Sequence, residues 1–272
     1  MEGTATTITH VFTDIDGTLL DSAHRLTKRT KDVFAELRAR GIRVILVSAR
    51  PPRGMAFIRD EAGADPYMIC CAGALILQGD CIVESKAMPQ SVLTRTAEAI
   101  AGTAVSLSLY RGMAWYTPRL DPYVLAEADI VHFRPRVLPL KALMDAKTPA
   151  DAGANKIMLM SSKEVIASIY PKVREGVGQL AAATLSKPDY LEILPPGVDK
   201  GSAVRDFCIK HGIDPSKVVC AGDQEVDMGM LRFAGVGIAM GNASEGVKAS
   251  ANRVAPSNDE DGLALALEDL LF

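Results

Sequence analysis

Near the N-terminus an apolar run, Ile8 to Thr13, leads into Asp14-Ile15-Asp16-Gly17-Thr18-Leu19-Leu20. Two carboxylates one residue apart close a strand-like segment, and a glycine breaks it. Aspartate is a poor strand former, so the pair needs a reason beyond the strand itself. In open α/β sheets, ligands bind outside the carboxyl ends of strands. Paired carboxylates there suit a hard, oxygen-preferring cation such as Mg²⁺, and one of them could attack an electrophile. Plainer readings are a turn at Asp16-Gly17, helix capping by the carboxylates, or the opening of a calcium loop. The last fails on spacing, because that loop needs glycine at its sixth position and Leu19 stands there.

Three further stretches carry similar chemistry. Ser48-Ala49-Arg50 ends a second apolar run just before Pro51-Pro52. A hydroxyl beside the free amides of a helix start would hold an anion, although an ordinary N-cap has the same composition. Lys200, in Val198-Asp199-Lys200-Gly201, falls at a helix start, where a cation opposes the helix dipole. A bound phosphate or the Asp14 carboxylate would relieve that cost; a solvated surface lysine is the plain alternative. Gly222-Asp223-Gln224-Glu225-Val226-Asp227 follows the apolar run Val218 to Ala221. Asp223 could complete a metal site with Asp14, or could simply cap a helix while Asp227 is solvated. Coincidence explains any one of these stretches far more easily than all four in this order.

The elements that must position them alternate. Strands are expected over Ile8–Thr13, Ile42–Ser48 and Tyr67–Cys71, with helices over Thr27–Arg40 and from Pro51-Pro52 to about Ala62. Val33, Phe34 and Leu37 line one face of the first helix, and Gly41 stops it. Ile42–Ser48 is almost continuously apolar, as in a strand covered on both faces. Toward the C-terminus the pattern returns: helix Gly201–His211, strand Lys217–Ala221, helix Val226–Phe233, strand Val236–Met240, a short strand Asn252–Ala255 and a terminal helix. Such alternation predicts βαβ units and a parallel sheet. The middle differs. Alternating strands (Val105–Tyr110, Met113–Thr117, Lys156–Met160) mix with a helix at Glu164–Gly176 and prolines at 118, 122, 135, 139 and 149. The expected architecture is a Rossmann-like, doubly wound parallel α/β core of residues 1–82 and 191–272, with an inserted α+β domain of residues 83–190.

The 272 residues are 48% hydrophobic and 23% charged, with a net charge of -3, so no basic footprint points to nucleic acid as a partner. No apolar stretch approaches the roughly 18 residues that would span a membrane, and Met1 to Thr9 has neither a basic region nor an apolar signal core. Cys70, Cys71, Cys81, Cys208 and Cys220 form an odd set without zinc-like spacing. A cytoplasmic protein is expected. No Gly-x-Gly-x-x-Gly fingerprint follows the first strand, which disfavours a dinucleotide oxidoreductase.

Read together, Asp14-x-Asp16-Gly17-Thr18, Ser48, Lys200 and Gly222-Asp223 with Asp227 resemble the motifs of the haloacid dehalogenase superfamily of phosphatases. Glu192 to Gly201 and Ala239-Met240-Gly241-Asn242-Ala243 resemble, more narrowly, its Cof-type branch, whose large cap is inserted between the second and third motifs. The resemblance implies that Asp14 attacks phosphorus to form an aspartyl-phosphate. Asp16 would protonate the leaving oxygen and then deprotonate the hydrolytic water. Asp14, Asp16 and Lys200 form the implied catalytic set. Mg²⁺ is the implied cofactor, held by the Asp14 and Asp223 side chains and the Asp16 carbonyl, with Asp227 ligating or orienting. Ser48, Ala49, Arg50, Gly73 and Asn242 are the implied phosphate or substrate contacts. The implied activity is a Mg²⁺-dependent phosphatase for a small phosphorylated metabolite, with sugar phosphates expected first and nucleotides or cofactor phosphates as alternatives. A monomer or homodimer is expected.

The chain departs from the family pattern at three places. Ala49 replaces a glycine, Val226 replaces an asparagine before the last aspartate, and Ala72-Gly73-Ala74 replaces asparagine-glycine-alanine. A phosphosugar mutase and a low-turnover binding protein on the same scaffold are the competing functions. Tyr110, Arg111, Trp115 and Tyr116 are candidate cap contacts, with burial in the cap core as the plain reading for the aromatics and solvation for Arg111. His10, His24, His132 and His211 show no ligand spacing and receive no role.

Overall fold

A computed structural model describes residues 7–145 and 153–272; residues 1–6, which belong to the stretch read for a signal, and Pro149 lie outside the described residues. The chain forms two compact units. One runs up to Ala49, resumes over Met55–Cys81 and returns from Asp199 onward; the other comprises Arg50–Gly54 and Ile82–Val198.

In the first unit the strands run Arg253–Val254, Val236–Ala239, Val218–Gly222, His10–Thr13, Arg43–Val47, Tyr67–Cys70, Leu75–Gln78 in spatial order. All neighbours are parallel until Leu75–Gln78, which turns back antiparallel. The expected doubly wound sheet is therefore present, with His10–Thr13 at its centre. Val44 to Val47 are all buried, as a strand covered on both faces requires. Phe12, Ile45, Val47 and Ile69 pack with Val204, Phe207 and Cys208 of the helix Lys200–His211, and Phe12 meets Phe207 edge-on at 5.7 Å. Burying each such large apolar side chain contributes about 1.5–3 kcal/mol, which fixes that helix, and its first residue, against the sheet. On the helix Lys28–Ala39, the Thr27 side chain caps the start by accepting from Thr30 N, and Val33, Phe34 and Leu37 are the buried apolar face. The return strand Leu75–Gln78 is absent from the sequence-based expectation. It follows a tight reversal in which Cys71 and Ala72 both take positive φ, 50° and 56°.

The second unit is built on a sheet ordered Ala182–Lys187, Tyr190–Leu194, Lys156–Met160, Ser106–Arg111, Ala114–Thr117, Arg136–Val137. Its pairs are antiparallel except the last. Leu107, Leu109, Ile157, Leu159, Leu191 and Ile193 form one apolar core with Val92 and Leu93 of the helix Gln90–Ala99 and with Ile166, Ile169 and Val173 of the helix Lys163–Val177. Helices packed against a largely antiparallel sheet are the α+β arrangement. On the opposite face of this sheet Lys156 and Glu192 form a buried ion pair at 2.8 Å. The expected boundary at residues 190/191 cuts the strand Tyr190–Leu194, whose Leu191 and Ile193 belong to this core; the unit instead ends at Val198, after the Pro195-Pro196-Gly197 break.

Candidate active site

The parallel register gathers the chemistry at one end of the first unit's sheet. Thr13 lies opposite Ala221 on one side and Leu46 on the other, so Asp14, Asp223 and Ser48 follow their strands at the same edge. Asp14 N donates to Ala221 O at 3.0 Å, Ser48 N to Ile69 O at 2.9 Å, and Ala72 N to Ser48 O at 3.0 Å. Lys200 is the first residue of its helix. Asp199 caps that helix by accepting from Ser202 N, while Ser202 Oγ accepts from Asp199 N. Two glycines permit the close approach. Gly17 has φ +83°, and a Cβ there would strike the Asp223 carboxylate. Gly73 has φ +105°, and a Cβ there would lie 2.6 Å from Ala203 Cβ and 2.9 Å from Asp199 O.

Lys200 Nζ donates to Asp14 Oδ1 and to Asp227 Oδ1, each at 2.6 Å, with all three groups buried. Asp14, Asp223 and Asp227 can each place one carboxylate oxygen within 4.8 Å of the others. When ionised, three carboxylates against one ammonium leave two negative charges uncompensated. Burial raises the Asp14 carboxyl well above the usual range; Lys200 opposes the shift, and Asp227 and Asp223 add to it. Asp223 is raised by burial too, against hydrogen bonds from Gln224 and Thr18. Burial alone would lower the Lys200 ammonium, but Asp14 and Asp227 outweigh it and hold Lys200 well above its ordinary value. A buried, doubly anionic set of hard oxygens fits a divalent cation such as Mg²⁺.

Two aspartates are held by specific partners. Asp227 Oδ2 accepts from Asp223 N at 3.1 Å and Gln224 N at 2.9 Å. With Oδ1 on Lys200, this makes Asp227 an orienting group in the present geometry. Asp223 Oδ1 accepts from Thr18 Oγ1 at 3.1 Å, and Oδ2 from Gln224 Nε2 at 2.7 Å. Asp16 differs from the buried set, with its side chain 39% exposed and His24 Nδ1 lying 3.3 Å from its Oδ1.

A family model described as haloacid dehalogenase-like hydrolase matches residues 11–267. The chain belongs to that family. It is similar to YxeH of Bacillus subtilis (strain 168), described provisionally as a phosphatase, at 28% identity over 95% of this chain and 97% of that one. It is 29% identical to the HMP-PP phosphatase of Cronobacter sakazakii over 85% of this chain and 83% of that one. Among solved structures, a haloacid dehalogenase-like hydrolase from Bacteroides thetaiotaomicron aligns with a TM-score of 0.89 and 26% identity, covering 97% of this chain and 100% of that chain. The expected membership and the expected fold are both borne out.

The anticipated residues of this hydrolase take the following places. Asp14, Ser48, Lys200, Asp223 and Asp227 come to one sheet edge. Ala49 follows Ser48 and is half-buried, so only its backbone could meet an anion. Arg50 belongs to the second unit, where its buried Nη1 donates to Gly54 O at 3.2 Å and Ile130 O at 3.3 Å. Asn242 Nδ2 donates to Gly17 O at 2.9 Å and to Asp223 Oδ2 at 3.4 Å, and its Oδ1 accepts from Asn258 N at 3.1 Å, so it braces the Asp16-Gly17 turn beside the carboxylate cluster. Gly73 serves close packing. Of the anticipated cap contacts, Tyr110 and Trp115 are fully buried and stacked at 5.5 Å, and Tyr116 packs on the second unit's core. Arg111 is half-buried and donates to Gly153 O at 2.6 Å and Gln90 Oε1 at 2.8 Å. Sequence reasoning missed Thr18, Gln224 and His24. Thr18 and Gln224 lay inside motifs already singled out, so adjacency to an aspartate was the available signal. Among the described residues no helix is long and apolar enough to cross a membrane.

Proposed function

We propose that this hydrolase is a Mg²⁺-dependent phosphatase acting on small phosphorylated metabolites, sugar phosphates first among them, through an aspartyl-phosphate. The observation that carries the reading is the Asp14–Lys200–Asp227 contact beside Asp223. It holds a nucleophilic carboxylate at a strand end, with one fixed cation and two negative charges still to be balanced. When bound by Asp14 and Asp223, together with the Asp16 carbonyl, Mg²⁺ would supply the positive charge that lets an anionic nucleophile meet an anionic phosphate.

The chain's own groups do the rest. Lys200 offsets charge on Asp14 and on the phosphoryl oxygens, and Ser48 offers a hydroxyl and amide at the same edge. The Asp14 carboxylate forms a bond to phosphorus as the bond to the ester oxygen breaks. Asp16, exposed enough to meet substrate and solvent, gives its proton to the departing oxygen. It then takes a proton from the water that releases phosphate and regenerates Asp14. The inserted unit, ending at Val198, would set specificity. The similarity to an HMP-PP phosphatase supports a small phosphorylated substrate.

The test is phosphate release from a panel of phosphorylated metabolites, with Mg²⁺ and with EDTA, comparing wild type with Asp14→Asn. We expect Mg²⁺-dependent release that disappears in the variant. Release that survives Asp14→Asn, or isomerisation of a sugar phosphate without free phosphate, would overturn the proposal.

A further inference from the structure

The segment after Asp16 is held in a single conformation by an unusual number of bonds. Thr18, Leu19 and Leu20 all direct their amides at Ile15 O. A second turn then closes over Asp21–Arg25. Asp21 N donates to Arg25 O at 3.0 Å, and His24 N to Asp21 O at 2.9 Å. The Asp21 carboxylate accepts from Ala23 N, Arg25 N and the Arg25 guanidinium, all between 2.8 and 3.0 Å. The turn is tied down from outside as well. Leu20 O accepts from Asn258 Nδ2 at 2.9 Å, and Ser22 N and Oγ each donate to Asp259 at 2.7 Å.

Within this turn His24 takes a left-handed backbone, φ 56°, a conformation that side chains other than glycine seldom adopt. Such outliers persist where surrounding bonds over-determine them, and they cluster at functional sites. Here the outlier brings an imidazole nitrogen to 3.3 Å from Asp16 Oδ1. Both side chains are partly open, at 47% for His24 and 39% for Asp16, so burial does not force the contact; the turn does.

We propose that His24 is a positioning residue for Asp16: its ring, fixed by the Asp21–Arg25 turn, holds the Asp16 carboxyl where a departing ester oxygen can receive its proton. The inference rests on the reading of Asp16 as the acid–base group. It predicts a dependence on the leaving group. A nitrophenolate departs without needing a proton, whereas an alkoxide needs one. A misplaced acid therefore slows formation of the phosphoenzyme, read by kcat/KM, selectively for alkyl phosphates; hydrolysis of the phosphoenzyme is common to both esters, and a merely unstable loop lowers kcat/KM for both alike.

The experiment compares kcat and KM for p-nitrophenyl phosphate and for the alkyl phosphate turned over fastest in the panel. The proteins are wild type, His24→Ala, His24→Asn and Asp16→Asn, each checked for an unchanged melting temperature. Asparagine tolerates the left-handed backbone and keeps a donor near the Nδ1 position. We expect His24→Ala to lower kcat/KM for the alkyl phosphate about tenfold, with less than about a threefold change in kcat/KM for the nitrophenyl ester. His24→Asn should recover most of the loss. Equal loss on both substrates, or no loss, overturns the role of His24 while leaving the acid–base reading intact, provided Asp16→Asn still shows a leaving-group-dependent defect. If Asp16→Asn shows none, the acid–base reading fails and His24 has nothing to position.

Discussion

Lys200 decides the electrostatic character of the site, because it is the one ammonium shared by Asp14 and Asp227. Replacing it with methionine keeps the stem's packing and removes the charge. Breaking a buried ion pair by deleting one partner costs about 3–5 kcal/mol, and the loss of charge stabilisation should lower phosphate release about a thousandfold. The stability loss has a pH signature in metal-free protein. The Asp14 carboxyl is already raised by burial, and without Lys200 it rises further. The folded state then holds protons that the unfolded chain has released. The penalty is full above the raised value and disappears as pH falls toward the ordinary carboxylate value of about 4. Urea unfolding of Lys200→Met against wild type at pH 7.5 and pH 5, in EDTA, should show the gap narrowing at the lower pH; a gap that widens would refute the assignment. At this scale the sequence exposed the groups whose type alone is anomalous, namely carboxylates at the ends of apolar strands and a lysine at a helix start. It did not expose the destinations of Arg50 and Asn242. Their partners, the carbonyls of Gly54, Ile130 and Gly17, depend on how distant loops run, and side-chain type carries no record of that.

At the scale of elements, the alternation of apolar runs with glycine and proline punctuation placed nearly every core strand and helix. The strand Lys156–Met160 falls on the residues expected of it. Failures occurred where apolar patterning is weak or ambiguous. Ala182–Lys187 is mostly exposed along its length and so has no hydrophobic period to read. Leu75–Gln78 is apolar, but periodicity does not reveal strand direction. Tyr190–Leu194 reads equally well as a core strand of either unit, and only its pairing with Lys156–Met160 settles which. Loops contribute here as braces. Asn258, through Leu20 O and the Asn242 side chain, ties the late loop to the segment following Asp16. Asn258→Ala should cost about 1–2 kcal/mol, because it leaves the Leu20 carbonyl without its donor. Chemical denaturation measures this directly, and a change within about 0.3 kcal/mol would mean that the brace carries no stability.

The molecule as a whole has two apolar cores in two compact units, the first assembled from segments on either side of the second, so unfolding is expected in two steps rather than one. A divalent cation bound by Asp14 and Asp223 should stabilise only the step belonging to the first unit, by about 2.7 kcal/mol at a hundred times its Kd. Calorimetry with Mg²⁺ and with EDTA would resolve this, and Asp223→Asn should abolish the shift. A cation that moves both transitions equally, or moves them in the Asp223 variant, would place its binding elsewhere. The order of the chain has a further consequence. The Asp14–Lys200 contact spans 186 positions, and the strand carrying Asp14 finds one of its two parallel neighbours only at Val218–Gly222. At about 5–20 residues per second of synthesis, Asp14 therefore emerges roughly 10–40 s before its lysine. A nascent or prematurely terminated chain can complete the inserted unit, yet it has no ammonium for Asp14. On the proposed mechanism, interrupted translation before Lys200 and Val218–Gly222 leaves an inert product.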